Sequence, residues 1–317
     1  MISKRQYNIL SFYLTRTLFL GGGFSLLINL SKNDFLITGF LGMVFGYFLL
    51  FLLFKKGNIS NIICSIVAIV VLFVGILSNT VLTSNYLLLT TPTFLIILVF
   101  IACLLYAEKK DFKVIGRVSE IFIIVSFFEI TLALLSLFNL VEIDRMFPLF
   151  TNNTMNIIKG IIIFAGASLL PNILLINYSE DIRFRDIHLG YIVGCLLMIA
   201  VLFFVITIFG SEFASTVRFP AFLILKKIDI MGYISNIENI LVTEWMFNML
   251  VSSWICIKVL KDNLNKYLFY LIILFLFLFS NFVLNGNYIN LLNIKQFFYY
   301  FTFSLVIISL VIKKRKN

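Results

Sequence analysis

Residues 7–30 stay apolar for longer than a bilayer is thick. In the middle of that run three consecutive positions, Gly21, Gly22 and Gly23, carry no side chain. A helix of about 20 apolar residues spans hydrocarbon because it satisfies its own backbone hydrogen bonds. Three glycines in a row weaken it at a depth where a freed N–H or C=O finds no water. A second run, residues 157–178, is interrupted by Phe164, Ala165, Gly166, Ala167 and Ser168 and bent again at Pro171. Paired broken helices are how many secondary transporters present backbone groups to a solute near the midplane. The first expectation is therefore a small-molecule site between two unwound segments.

The rest of the chain demands the same solvent. It is 61% hydrophobic with 37 Phe in 317 residues, only 13% charged, and has a mean hydropathy of +1.07. A soluble domain of this size would expose apolar patches that aggregate, whereas a bilayer accommodates them. The sequence predicts an all-α membrane protein with ten transmembrane helices, at about 7–30, 34–54, 61–84, 92–107, 116–140, 156–178, 188–209, 235–260, 266–285 and 295–313. No N-terminal stretch reads as a cleaved signal, because Lys4 and Arg5 precede an apolar run too long and too glycine-broken for one.

Lys and Arg set the orientation. With the N-terminus inside, 17 of the 25 fall on the cytoplasmic side: Lys4, Arg5, Lys55, Lys56, Lys109, Lys110, Lys113, Arg117, Arg183, Arg185, Lys258, Lys261, Lys266 and the tail at 313–316. Seven fall outside, and Arg16 lies within the first helix. This asymmetry places both termini in the cytoplasm of a bacterial membrane and calls for an even number of spans. The net charge of +10 is thus topological, and its dispersal over many loops argues against nucleic acid as a partner.

The spans fall into two halves of one domain, about 7–140 and 156–313, separated by a polar, turn-rich connection at 141–155. Each half opens with a broken helix, as a five-plus-five inverted repeat requires. The longest outer connection, residues 210–234, holds an apolar stretch at 219–225 followed by Lys226 and Lys227. A short helix on the outer face fits it, either as a lid over a solute pathway or as an interfacial anchor.

Charges inside the membrane need a reason, since one at the bilayer centre costs roughly 2.5–3.5 kcal/mol on insertion scales. Glu129 lies mid-way along the fifth segment on a stripe with Ser126, Ala133 and Ser136; Glu244 lines up with Asn248 and Ser252; Arg16 is nine residues into the first segment. They are candidates for a coupling-ion or proton site, or for the charged ends of a zwitterion. Beside that stands a structural reading, in which Arg16 pairs with Glu129 or Glu244 between helices. On the first helix Asn8, Ser11, Thr15, Gly22, Ser25 and Asn29 share one face, from which Arg16 points away. The four cysteines, Cys64, Cys103, Cys195 and Cys256, sit in apolar runs without CxxC spacing, and the one histidine, His188, lies at a helix mouth. Neither a metal site nor a cofactor is suggested, and no nucleophile has a base beside it, so enzymatic chemistry is not expected.

Several short patches, in order, carry a resemblance. They are Ile2-Ser3-x-x-Gln6; Tyr106-Ala107 with residues 115–121; Met146-Phe147-Pro148-Leu149-Phe150; Lys159-Gly160 through Phe164-Ala165-Gly166; Gly210-Ser211-Glu212-Phe213; Arg218-Phe219-Pro220; and residues 234–245. Together they resemble the spore germination permease family, the B-subunits of nutrient germinant receptors, within the amino acid–polyamine–organocation superfamily. The resemblance implies a ten-helix LeuT-like fold and a small amino acid-like nutrient bound between helices one, three, six and eight. It also implies assembly with a receptor A-subunit and a lipoprotein C-subunit in the spore inner membrane. The chain departs from the family in carrying Arg16 where many members have uncharged polar residues.

Two functions stay open on these grounds. One is a germinant-receptor subunit that binds a nutrient and signals through partners; the other is a proton- or cation-coupled amino acid transporter working by alternating access. The site expected for either combines backbone at Gly21, Gly22 and Gly23, the segment Phe164, Ala165, Gly166, Ala167 and Ser168, and Thr243 from the eighth helix. Orientation can be tested directly. In a chain with the four native cysteines replaced, Thr151→Cys should react with an impermeant thiol reagent in intact cells and Ser60→Cys should not. The opposite pattern would reverse the topology.

Overall fold

The computed structural model describes residues 2–150, 152–179, 183–217, 219–228, 238–286 and 292–312, apart from the side chains of 238–241, 292–295 and 297. Arg218, residues 234–237 and the basic tail at 313–316, all used in the sequence reading, lie outside the described residues. Among the described residues the fold is helical throughout, without a strand.

The first helix begins with a capping box. Ser3 Oγ accepts from the Gln6 amide at 3.2 Å, and Gln6 Oε1 accepts from the Ser3 amide at 3.1 Å. Helix α1 (Lys4–Leu18) then widens into one π-helical turn, Phe19–Gly23, before α2 (Phe24–Ser31) continues. The chain reverses at Lys32–Asp34, where Lys32 has φ 46°, and returns as α3 (Phe35–Lys56). The hydrogen bond from Thr38 Oγ1 to Ser31 Oγ, 3.0 Å, confirms the reversal. In a straight helix those residues would stand about 10 Å apart. There follow α4 (Asn61–Leu82), α5 (Thr93–Glu108), α6 (Phe112–Leu137), α7 (Thr154–Leu169), α8 (Ile173–Ile176), α9 (His188–Phe209), α10 (Ser211–Thr216), α11 (Pro220–Leu225), α12 (Glu238–Asn263), α13 (Lys266–Asn285) and α14 (Leu292–Val311).

Among the described residues six helical runs are long and apolar enough to cross a membrane: Lys4–Lys56, Asn61–Leu87, Phe112–Leu140, Thr154–Ile176, His188–Phe209 and Lys266–Asn285. The first of them contains the reversal. Thr93–Glu108 and Phe298–Val311 are shorter apolar helices. Large apolar side chains on α3, α5, α6 and α13 stay exposed, as lipid-facing surfaces require.

The second break is not where the small residues suggested. Residues 164–168 are regular α-helix, and the helix changes only at the 3₁₀ turn Leu170–Asn172, around Pro171. Proline removes an amide and clashes with the preceding turn, so it interrupts a helix where a lone glycine does not. Gly166 instead allows close packing, with an added Cβ lying 3.1 Å from Phe303.

Helix α1 is the centre of the bundle, packed against α6, α7, α9 and α12; α7 packs on α3 and α14, and α4 on α12. Glycines permit the closest approaches. An added Cβ at Gly42 would lie 2.8 Å from Phe164, and one at Gly194 2.9 Å from Thr15. The polar face of α1 is bonded into its neighbours. Asn172, at the second break, accepts from Ser11 Oγ at 2.6 Å and donates to Thr15 Oγ1 at 2.9 Å and to the Ser168 carbonyl at 2.8 Å. Asn8 accepts from the Gly190 amide and donates to the Asp186 carbonyl.

Ion pairs gather the basic segments at one end of the bundle: Lys4–Asp186 at 2.6 Å, Arg5–Glu120 at 3.5 Å and Lys261–Glu108 at 3.5 Å. The Lys4 ammonium holds the Asp186 carboxyl below its ordinary pKa. At the opposite end Asp34 accepts from the Phe150 and Asn152 amides, and Arg145 pairs with Glu142.

Asn172 ties the second break to α1, so Asn172→Leu strands Ser11 and the Ser168 carbonyl. The substitution should destabilise the detergent-solubilised protein by about 1–2 kcal/mol, read as a fall in melting temperature. An unchanged melting temperature would show that the clamp is dispensable.

Candidate functional site

Of the residues in the first break, Gly22 is the one with a conformation reserved for glycine, φ 112°, and an added Cβ there would meet nothing within 4 Å. Gly21 and Gly23 are small for space: a Cβ would run into Val74 at the first and lie 2.8 Å from Tyr299 Oη at the second. Opening the turn frees carbonyls, and side chains take them up. Tyr299 Oη donates to the Leu18 carbonyl at 2.7 Å, and Ser25 Oγ to the Gly22 carbonyl at 3.2 Å.

Beside this break, lined by Leu20, is a cavity of about 90 Å³. It brings together the three intramembrane charges noted in the sequence: Arg16 from α1, Glu129 from α6 and Glu244 from α12. The side chains around them explain the convergence. Tyr13 Oη lies 3.1 Å from Ser126 Oγ on α6, while Asn248 Nδ2 on α12 donates to the Tyr13 carbonyl at 2.8 Å. Together they draw α6 and α12 onto one stretch of α1. The remaining wall is apolar, with Leu197, Met198, Val201 and Phe204 from α9 among its residues, and Trp245 lies next to Glu244.

Arg16 is the largest fully buried side chain of the bundle. Its Nη1 stands 2.6 Å from Glu244 Oε1, and its guanidinium lies 4.1 Å from the centre of the Phe12 ring. The contact with Glu244 is close enough for an ion pair but lacks hydrogen-bond alignment. Glu244 Oε1 therefore has no hydrogen bond among the described residues, and the same holds for Arg16 Nε and Nη2. Thr243 Oγ1 donates to Glu129 Oε1 at 2.5 Å, whereas Glu129 Oε2 and Trp245 Nε1 have no hydrogen-bond partner among the described residues.

The segment after α10 covers one side of the cavity. Helix α11 contributes Ala221, Ile224 and Leu225 to the cavity wall. It is fixed by Phe222, buried with its ring 3.8 Å from that of Tyr86, and by Phe219 set edge-on to Trp245 at 5.5 Å.

The other expected site residues lie elsewhere. Phe164, Ala165, Gly166, Ala167 and Ser168 are fully buried in α7, and none lines the cavity. Ser168 Oγ is 2.8 Å from Tyr191 Oη and donates to the Ala165 carbonyl at 3.2 Å, while Phe164 meets Phe19 of the first break at 4.8 Å between rings. The first break and α7 touch there as packed aromatic surfaces. Thr243 belongs to the site through Glu129 and not through the second break. Sequence reasoning missed Trp245 and Asn172. The signals present were an indole beside an intramembrane glutamate and an Asn after Pro171.

The Arg16–Glu244 pair has a separable contribution. Arg16→Met or Glu244→Met alone leaves a buried charge uncompensated and should lower stability by about 3–5 kcal/mol, whereas the double substitution should restore most of it. Melting temperatures of the four proteins decide this, and simple additivity of the two losses would show that the residues do not couple.

Comparison with known proteins places this architecture. No curated protein matches the chain. A family model described as spore germination protein matches residues 56–289, about three quarters of the sequence, from the end of α3 to just past α13. The broken first helix and α14 fall outside the matched region. With a match of this extent over a multi-pass helical membrane protein, the chain belongs to the spore germination permease family.

Proposed function

We propose that this protein is the membrane subunit of a spore nutrient-germinant receptor and binds a small amino acid-like ligand beside the broken first helix. The observation that carries the reading is the meeting of that break with Arg16, Glu129 and Glu244 around one cavity. Intramembrane charges that face a shared cavity mark a solute or ion pathway by default. The family supports a role in germination.

The architecture belonging to this reading is ten spans in a five-plus-five inverted repeat with helices 1 and 6 broken, both termini cytoplasmic. The helix pairing supports it. Helix α1 packs on α6 and α9 as α7 packs on α14 and α3, and α5 on α12 as α13 on α4, so these three pairings recur when each helix of the first half is exchanged for its counterpart in the second. In this assembly the subunit sits in the spore inner membrane beside an A-subunit and a lipoprotein C-subunit, which turn occupancy into a germination signal.

A second reading has an observation of its own. Glu129 Oε2 is a buried carboxylate oxygen without a hydrogen-bond partner among the described residues, a fitting place for a coupled proton. In a proton-coupled transporter, amino acid uptake into proteoliposomes would follow an imposed pH gradient. In a receptor it would not.

Gly22→Val separates ligand response from folding. Only the backbone conformation at Gly22 excludes a side chain, so the variant should reach the membrane while spores carrying it no longer release dipicolinate in response to the common amino acids. Gly166→Val, packed on Phe303, should instead reduce the amount of protein. A nutrient response that survives Gly22→Val would remove the first break from the site.

A further inference from the structure

Three buried side chains around the cavity beneath α11 hold polar atoms that no described residue meets: Nε and Nη2 of Arg16, Oε2 of Glu129 and Nε1 of Trp245. Their residues are 1%, 5% and 4% exposed. Each unmet group costs about 1–3 kcal/mol, more when charged. Three donors and a carboxylate oxygen on the wall of one small space form a complementary set waiting for a partner of matching polarity.

Charge decides what that partner is. Arg16 and Glu244, 2.6 Å apart, compensate each other. Glu129 has only the Thr243 hydroxyl, on its other oxygen, and among the described residues lining the cavity Arg16 is the sole cation. With all three ionised the site holds one negative charge in an apolar wall, where an uncompensated charge costs several kcal/mol. Among the described residues that charge has no counter-ion, which leaves a place for a positive group on a ligand. The free donors of Arg16 and Trp245 call for an oxygen acceptor, and because Glu244 already neutralises Arg16, that oxygen need not carry charge.

We infer that the cavity binds a small primary ammonium compound with a neighbouring carbonyl oxygen. The ammonium lies on Glu129 Oε2, the oxygen takes hydrogen bonds from Arg16 and Trp245, and a short aliphatic body rests among Leu197, Met198 and Val201. The inference rests on the receptor reading for the existence of a ligand and moves recognition of its amino end from the second break to α6. It also sets an order of affinity. An amino acid amide leaves the site neutral, whereas the zwitterion brings a third carboxylate to it and binds more weakly.

The two tryptophans of the chain, Trp245 and Trp254, supply the measurement. The full chain carrying Trp254→Phe, purified in detergent at neutral pH, keeps Trp245 as its one indole and is titrated with alaninamide, alanine and N-acetylalanine. Alaninamide should give a saturable fluorescence change, alanine should bind about tenfold more weakly, and N-acetylalanine, which has no ammonium, should give none. Adding Glu129→Gln should weaken alaninamide by about tenfold or more without lowering the melting temperature. Binding of N-acetylalanine, alanine tighter than alaninamide, or an alaninamide affinity unmoved by Glu129→Gln each overturns the inference. If Glu129→Gln spores still answer amino acids while Gly22→Val spores do not, this inference fails and the receptor reading stands. If no compound binds the folded chain, both fail.

Discussion

A membrane helix can open only if something else bonds the backbone it releases, because hydrocarbon offers no water. At residues 19–23 that requirement is met by two hydroxyls. Tyr299, from the last helix, donates to the Leu18 carbonyl, and Ser25 to that of Gly22. The widened turn is thus held by contacts from α14 as well as by its own glycines. Its position has consequences on both sides. Below it, α1 carries Arg16 into the bundle one turn before the opening; beyond it, α2 sets off on a new line past the packed Phe19–Phe164 contact. Displacing Tyr299 would leave the Leu18 carbonyl bare, at about 1–3 kcal/mol.

The buried charges turn that geometry into chemistry. One cation against two carboxylates gives a site that is two-thirds a closed ion pair and one-third a vacancy of charge. The pair alone would be a structural element, and a replaceable one. Glu129 makes the difference, since among the described residues its second oxygen has no hydrogen-bond partner, beside a cavity whose other walls are largely apolar. Helix α11 lines one side of the cavity, and the start of α1 lies at the basic end of the bundle. There Lys4–Asp186 and Arg5–Glu120 tie the start of α1 to the segments before α9 and within α6.

The sequence carried much of this. Three adjacent glycines in an apolar run suit either close packing or a break; the structure shows a break at those residues, with Gly21 and Gly23 also packed closely. The ion pair between Arg16 and Glu244 was one of two pairings that charge alone allowed. The second break was misplaced by a few residues for a physical reason. Ala165, Gly166, Ala167 and Ser168 are as suitable for close helix packing as for unwinding, and which use applies depends on Phe303, Tyr191 and Gly42, all far away in the chain. Pro171, whose effect is local, was the better marker. Trp245 had a signal, an indole beside Glu244, but its place in the cavity wall shows only once Phe219 and α11 pack over it.

Hydrogen–deuterium exchange of the membrane-embedded protein tests the central claim, that the opened first helix and the charged cavity are one ligand site. The amides of residues 18–24 should exchange faster than those of α4 in the free protein. They should slow, together with the segment around Thr243, Glu244 and Trp245, when a nutrient that triggers germination is added. Slowing confined to other helices, or a first break already as protected as α4, would contradict the account.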